Sequence, residues 1–167
     1  MPLTSSIKDS QEKFLAIFCY QFGARVRPMI DNILNELEFT YSRRTGRFKN
    51  ILWKGKDFCN FKPDIGLFTL AYFGAKFLLE NFSPPAYRAI VQNDVSEFIM
   101  EGRNVFAKHI VDIDLNLLPF DEVIIVNTQD NLLALGRVLL PPIEVKKFNW
   151  GVAVKTRKGF IKYQVGL

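Results

Sequence analysis

The side chains that most often do covalent or metal chemistry are sparse in this chain. It holds one histidine, His109, and two cysteines, Cys19 and Cys59. A structural zinc takes four Cys or His ligands, commonly from closely spaced pairs, and the two cysteines are far apart in sequence. They are expected to be buried thiols of a reducing compartment. With a single histidine, neither a metal site nor a Ser-His-Asp triad can be assembled in the usual way. Asp112 and Asp114 lie two apart in a segment read as a strand. Their side chains would share one face, a spacing an acid–base pair can use. Lone carboxylates at a strand end are more simply solvated or turn-forming. Asp121 and Glu122 follow Pro119-Phe120 and read as turn residues. No phosphate-cradling GxxxxGK[ST] loop and no GxGxxG fingerprint is found. Neither catalysis by the chain itself nor a resident cofactor or metal is expected.

Anion binding is what the residue types do support. The formal net charge is +5, with a pI near 9.2. Between Ser42 and Lys56 stand Arg43, Arg44, Arg47, Lys49, Lys54 and Lys56, with no acid among them. From Val145 to Leu167 stand Lys146, Lys147, Lys155, Arg157, Lys158 and Lys162, again without an acid. The stretch from Asp94 to Asp130 is acidic on balance. Two localised basic blocks point to contacts with a polyanion such as nucleic acid, against the alternative of two solvated faces.

Hydrophobic residues make up 49% and charged residues 23%, the balance of a folded chain. No apolar run is long enough to cross a bilayer, and the first residues, MPLTSSIKDSQEK, lack the apolar core of a signal peptide. A cytoplasmic protein with no membrane partner is expected. Ser6 and Asp9 suggest a capping box opening a helix on which Phe14, Leu15, Phe18 and Phe22 recur, with Gly23 as its stop. A second helix is read from Val26 through Leu37. Then the period changes. Arg47–Trp53 and Asp57–Phe61 read as a hairpin through Lys54-Gly55-Lys56, and Thr69–Glu80 as a helix with Gly74 at a close packing point.

Ser83-Pro84-Pro85 is the best boundary, because consecutive prolines cannot continue a helix. It divides the chain into 1–84 and 85–167. Beyond it, Tyr87–Val91 reads as a strand and Asp94–Glu101 as a short helix capped by Asp94 and ended by Gly102. Val105–Ile113, Glu122–Asn127 and Leu132–Leu140 read as strands, and Ile143–Phe148 as a helical turn. Val152–Arg157 and Phe160–Tyr163 would form a last hairpin through Lys158-Gly159. An α+β chain ending in a compact β-barrel-like domain follows.

Four blocks in order carry a resemblance. They are Gly102-Arg103-Asn104-Val105-Phe106-Ala107-Lys108-His109-Ile110-Val111, Asp121 to Asn127, Leu132 to Arg137, and Gly151-Val152-Ala153-Val154-Lys155. Together they resemble the PUA domain. The likeness is to the PUA domain that ends archaeosine tRNA-guanine transglycosylases. It extends upstream through Tyr20-Gln21-Phe22-Gly23, Ser42-Arg43-Arg44-Thr45-Gly46 and Leu67-Phe68-Thr69-Leu70 to Gly74-Ala75, which look like the domain before PUA in that family.

The resemblance implies a pre-PUA α+β domain followed by a PUA pseudo-barrel that binds tRNA at its acceptor end. Full-length members add an N-terminal catalytic barrel with aspartates and a cysteine-rich zinc site, and the residues matched here are those of the RNA-binding end. The implied role is the tRNA-binding subunit of a split transglycosylase, or of a related archaeosine synthase, working with a separately encoded catalytic subunit. The residues implied for RNA are Gly102, Arg103, Lys108 and His109, then Gly151, Val152, Lys155, Arg157 and Lys158, with Arg43, Arg44 and Arg47 upstream. Gly102 would let RNA backbone approach closely, and Val152, Ala153 and Val154 would alternate between core and an apolar surface for a base. Small pre-PUA and PUA proteins also resemble ribosome biogenesis factors that bind precursor ribosomal RNA, which is the alternative.

Overall fold

The computed structural model describes residues 7–161. Ser6, the expected cap of the first helix, lies outside that range, as do Lys162 and Tyr163. The chain divides into two compact units, residues 1–74 and 75–167.

In the first unit, α1 (Ile7–Phe22) buries Ser10, Phe14, Leu15, Phe18 and Phe22 on one face. Gly23, at φ +86°, stops it. A 3-10 turn (Ala24–Val26) leads into α2 (Arg27–Ile33). The helix expected to reach Leu37 is shorter. It closes in a second 3-10 turn (Leu34–Glu36), and Leu37 opens β1 (Leu37–Tyr41) instead. Leu37 is apolar at helical spacing, but pairing with Trp53 on β2 (Phe48–Trp53) recruits it to the sheet. β3 (Lys56–Lys62) and β4 (Leu67–Leu70) complete an antiparallel meander in the order β1-β2-β3-β4.

β4 corrects the expected helix over Thr69–Glu80. Leu70 pairs with Cys59 and Phe68 with Phe61, and the helix α3 (Tyr72–Asn81) starts only after Ala71. Leu67–Leu70 is apolar enough to be a strand or a helix turn, and the free side of β3 decides. The Gln21 side chain closes the outer edge of β4. Its amide donates to the Phe68 carbonyl at 2.7 Å and its carbonyl accepts from the Phe68 N–H at 2.8 Å, satisfying edge groups as another strand would. Gly74 is the close approach the sequence suggested: a Cβ there would stand 2.1 Å from the Phe58 carbonyl oxygen. The core is aromatic, with Phe14, Phe18, Phe48, Phe61 and Phe68 packed ring on ring.

The second unit is built on β5 (Arg88–Val91), β6 (Val105–Phe106), β7 (Ile110–Ile113), β8 (Glu122–Asn127), β9 (Leu132–Val138) and β10 (Val152–Gly159), with short helices α4 (Ser96–Met100) and α5 (Pro142–Val145). The sheet order is β6-β10-β9-β8-β5-β7, all antiparallel except β5 with β8. β6 and β7 are the two edges, yet only a 3-10 turn, Ala107–His109, separates them in the chain. That turn carries the chain from one edge to the other and nearly closes the barrel. This is why the single strand expected over Val105–Ile113 is broken: its first half pairs with β10 and its second with β5. Inside lies a core of Val91, Ile99, Val105, Ile113, Ile125, Leu133 and Val154, typical of inward-facing barrel positions.

Three further expectations change. Asp94 does not cap α4, because a 3-10 turn (Asn93–Val95) leads into the helix and Val95 takes the cap position without a side-chain bond. The last hairpin does not turn at Lys158-Gly159. β10 runs on through both residues, which pair with Leu135 and Ala134 of β9. Nor does Val152–Val154 alternate. Ala153 and Val154 are both buried, because the register between β10 and β6 shifts between Val152 and Val154.

Arg88 is wholly buried. Its guanidinium donates twice to Asp130 (2.7 and 2.9 Å) and once each to the carbonyls of Ala86 and Leu79. Pro84 and Pro85, joined by a cis bond, follow α3. Among the described residues no helix is long and apolar enough to cross a membrane.

Candidate nucleic-acid interface

The turn after α4 is stitched to the far end of β10. Gly102, at φ +99°, donates its N–H to the Ile99 carbonyl and ends the helix. Asn104 accepts from the Thr156 N–H at 3.1 Å, and the Thr156 hydroxyl donates to the Arg103 carbonyl at 2.7 Å. Gly159 lies so close that a Cβ on it would stand 2.0 Å from the Met100 carbonyl oxygen and 2.8 Å from the Gly102 nitrogen. Only glycine fits there. Gly102, Arg103 and Lys158 therefore share one surface. Nothing lies within 4 Å of the place a Gly102 Cβ would take, so its backbone is open to an incoming group. Arg103 is exposed, 4.0 Å from Glu101, a distance that leaves its charge largely available.

Further along β10, Lys155 is exposed opposite Arg137 of β9. Arg157 behaves differently. Its guanidinium pairs with Glu122, a nearly buried carboxylate at the start of β8. Glu122 thus opens β8 with its buried carboxylate paired, and is not the turn residue its sequence neighbours suggested. Arg157 is committed to that pair, which removes most of its charge from any phosphate.

At the near end of β10, the Ala107 N–H donates to the Gly151 carbonyl at 2.9 Å, and Val152 stands opposite Phe106. The exposed Lys108 follows Ala107. His109, at the other end of the closing turn, is half-buried, with Nδ1 3.2 Å from the Gln92 side-chain oxygen. The same end holds residues that sequence reasoning passed over. Trp150 is 76% exposed, with Phe148 beside it at 6.1 Å between ring centroids, and Phe106 is exposed on β6. Exposed aromatics beside cations are what single-stranded RNA stacks on. Lys146-Lys147-Phe148-Asn149-Trp150 carries that signal, but the sequence reads as a helical turn through Phe148, whereas α5 ends at Val145.

Arg43, Arg44 and Arg47 lie in the first unit, on the loop between β1 and β2. Two bonds close this loop, Ser42 N–H to the Arg47 carbonyl (2.8 Å) and Gly46 N–H to the Ser42 carbonyl (2.9 Å). All three arginines are exposed, and among the described residues none pairs with an acid.

The carboxylates considered for acid–base work have structural partners. Asp114 is buried and accepts from the backbone N–H groups of Tyr87 (2.7 Å) and Asn116 (2.9 Å). Asp112 pairs with Lys146 at 3.0 Å. Burial raises the Asp121 carboxyl above its ordinary range, opposed by the Leu118 N–H that it accepts. Burial also raises the Cys19 thiol and so disfavours the nucleophilic thiolate, opposed by the nearby Arg27 charge.

Comparison with known proteins matches the chain to two families in succession. Residues 87–160 match the PUA domain, and residues 13–85 match the patch-forming domain C2 of tRNA-guanine transglycosylase. The chain joins a C2 patch-forming domain to a PUA domain. It is 42% identical to the tRNA-guanine(15) transglycosylase of Thermococcus kodakarensis over 92% of its own length, but spans 26% of that protein. With the Methanocaldococcus jannaschii transglycosylase the figures are 38%, 84% and 21%. The chain thus spans about a quarter of the length of the curated relatives it matches. A hypothetical protein from Pyrococcus horikoshii has the same fold, with a TM-score of 0.73 at 23% identity over 97% of both chains. A conserved PUA domain protein from Thermoplasma acidophilum follows at 0.65 and 17%, over 92% of this chain and 90% of that one.

Proposed function

We propose that the chain binds tRNA through the β10 face of its PUA domain, grips the acceptor end, and presents the D-arm guanine to a catalytic domain on a separate polypeptide. That partner is a tRNA-guanine transglycosylase or a related archaeosine-forming enzyme, and the setting is the cytoplasm. The working division is 1–84 for the C2 domain and 85–167 for the PUA domain. One observation supports the binding face above all. The space at the Gly102 Cβ position is open where the turn meets the end of β10, Arg103 follows it, and β10 itself carries the exposed Lys155 and Lys158, with no acid paired to either lysine among the described residues. A backbone that a phosphate can reach, ringed by cations, suits the end of an RNA strand.

The test is binding of intact tRNA against tRNA trimmed of its CCA end, with the wild-type chain and with Arg103→Ala. Intact tRNA should bind more tightly to wild type, and the variant should narrow the gap. Gly102→Val is a poor probe, because at φ +99° a β-branched residue strains the backbone whatever the space. Equal binding of both tRNAs would sink the acceptor-end reading and favour a precursor ribosomal RNA.

A further inference from the structure

We propose that a cavity in the C2 domain, between α1 and the Ser42–Arg47 loop, takes one unstacked RNA nucleotide, base against Tyr41 and Phe61 and phosphate on Arg43 and Arg47. The cavity is about 640 Å³, within the range of small-molecule sites and large enough for a nucleotide. Ser10, Lys13 and Ile17 reach it from one face of α1, spaced three and four residues apart. Tyr41, Phe48 and Phe61 supply the aromatic wall, and Phe48 and Phe61 are packed at 4.9 Å.

The wall is preorganised. Tyr41 is 42% exposed, yet its hydroxyl is held at 2.8 Å by the buried Ser10 hydroxyl. The ring is therefore fixed while part of it faces the cavity. The rim is cationic, with Lys13, Arg43 and Arg47, and among the described residues no acid lines it. The loop is fixed at its neck by the two bonds to Ser42 and Arg47, so the arginines project from a closed frame. Aromatic surface beneath a rim of cations matches the two ends of a nucleotide, whereas a simple anion would use only the rim.

A second hollow of about 410 Å³ lies against the same loop, lined by Arg44, Arg47, Lys49 and Lys62 and again without an acid among the described residues. Arg47 and Phe48 border both. A nucleotide seated in the first cavity can therefore pass its neighbouring phosphate over Arg47 into the second. That continuity favours a nucleotide within an RNA strand over a free one.

The inference extends the RNA-binding reading to a second site, and its test is separable because it reads only residues of the C2 domain. The full chain is followed by NMR with uridine 5′-monophosphate, uridine, inorganic phosphate and the RNA tetranucleotide UUUU as probes. The monophosphate should move the signals of Thr45 to Phe48 and Phe61. It should bind at least about tenfold more tightly than phosphate or nucleoside, the scale of one base stacked on an aromatic. UUUU should bind more tightly still. Tyr41→Ala should remove the preference for nucleotide over phosphate, and Arg43→Ala with Arg47→Ala, both on an exposed loop, should weaken all phosphate-bearing probes. Phosphate binding as tightly as the monophosphate, or no shifts at the cavity, overturns the site. A tetranucleotide no better than the monophosphate overturns the RNA form of it. Loss of the cavity with retention of tRNA binding would leave the PUA-face reading intact.

Discussion

Arg157 belongs to a stretch of sequence with no acid, yet folding brings Glu122 to it from β8, across β9. Its main effect should be on stability. Arg157→Ala leaves the buried Glu122 carboxylate without this partner and should cost about 2 kcal/mol, while leaving the salt dependence of tRNA binding nearly unchanged. Urea unfolding and binding titrations at several salt concentrations check the two halves; a lowered salt slope with unchanged stability would return Arg157 to the interface. Asp121 makes a pH prediction. Burial raises its carboxyl in the folded state, so ionisation there costs the fold. That cost is absent below the unfolded value, about 3.9, where both states are protonated, and is fully present above the folded value. Asp121→Asn can keep the acceptor for the Leu118 N–H. It should be at least as stable as wild type at pH 7, with the difference shrinking toward zero as pH falls below about 4. A variant clearly less stable at pH 7 would show that the charge itself is favourable there.

At the scale of elements, β10 orders the proposed interface. It carries Lys155 and Lys158, is tied at one end to the Gly102 turn through Thr156, and at the other exposes Trp150 beside the β6 edge. If β10 lies along a phosphate backbone, Lys155→Ala and Lys158→Ala should each reduce the slope of log affinity against log salt by about one, uniformly across tRNA sequences. Trp150→Ala should instead weaken binding with little change in slope, since stacking is not counterion release. Filter binding over a salt series distinguishes them. Unchanged slopes in both lysine variants would take β10 out of the site.

For the whole molecule, the C2 and PUA domains span about a quarter of the length of the transglycosylases they match. The proposed division of labour predicts no base exchange by this chain on its own. Mixed with a catalytic polypeptide from the same source, it should raise labelled-guanine exchange at the D-arm. Anchoring one end of the tRNA makes delivery of the target base effectively intramolecular. Guanine exchange by this chain with no partner would overturn the division of labour, and no gain on mixing would favour the ribosome-assembly alternative.

The sequence determined what depends on near neighbours and on the order of blocks along the chain. The α1 stripe, the Gly23 stop, the packing at Gly74, strand β8 and the order of the PUA blocks were all legible from it. It could not separate short apolar runs that suit helix and strand alike. Leu37 and Leu67–Leu70 became strand only because a sheet edge was waiting for them. The break at Ala107–His109 was invisible for a related reason. It exists to join two edges of a barrel, a demand set by strands distant in the chain. Charge followed the same rule. An acid-free run identified a basic block, but which cation faces solvent depends on what sits across the sheet. Lys155 and Lys158 stay open while Glu122 claims Arg157, because a nearly buried carboxylate needs a charged partner and β9 brings that one within reach.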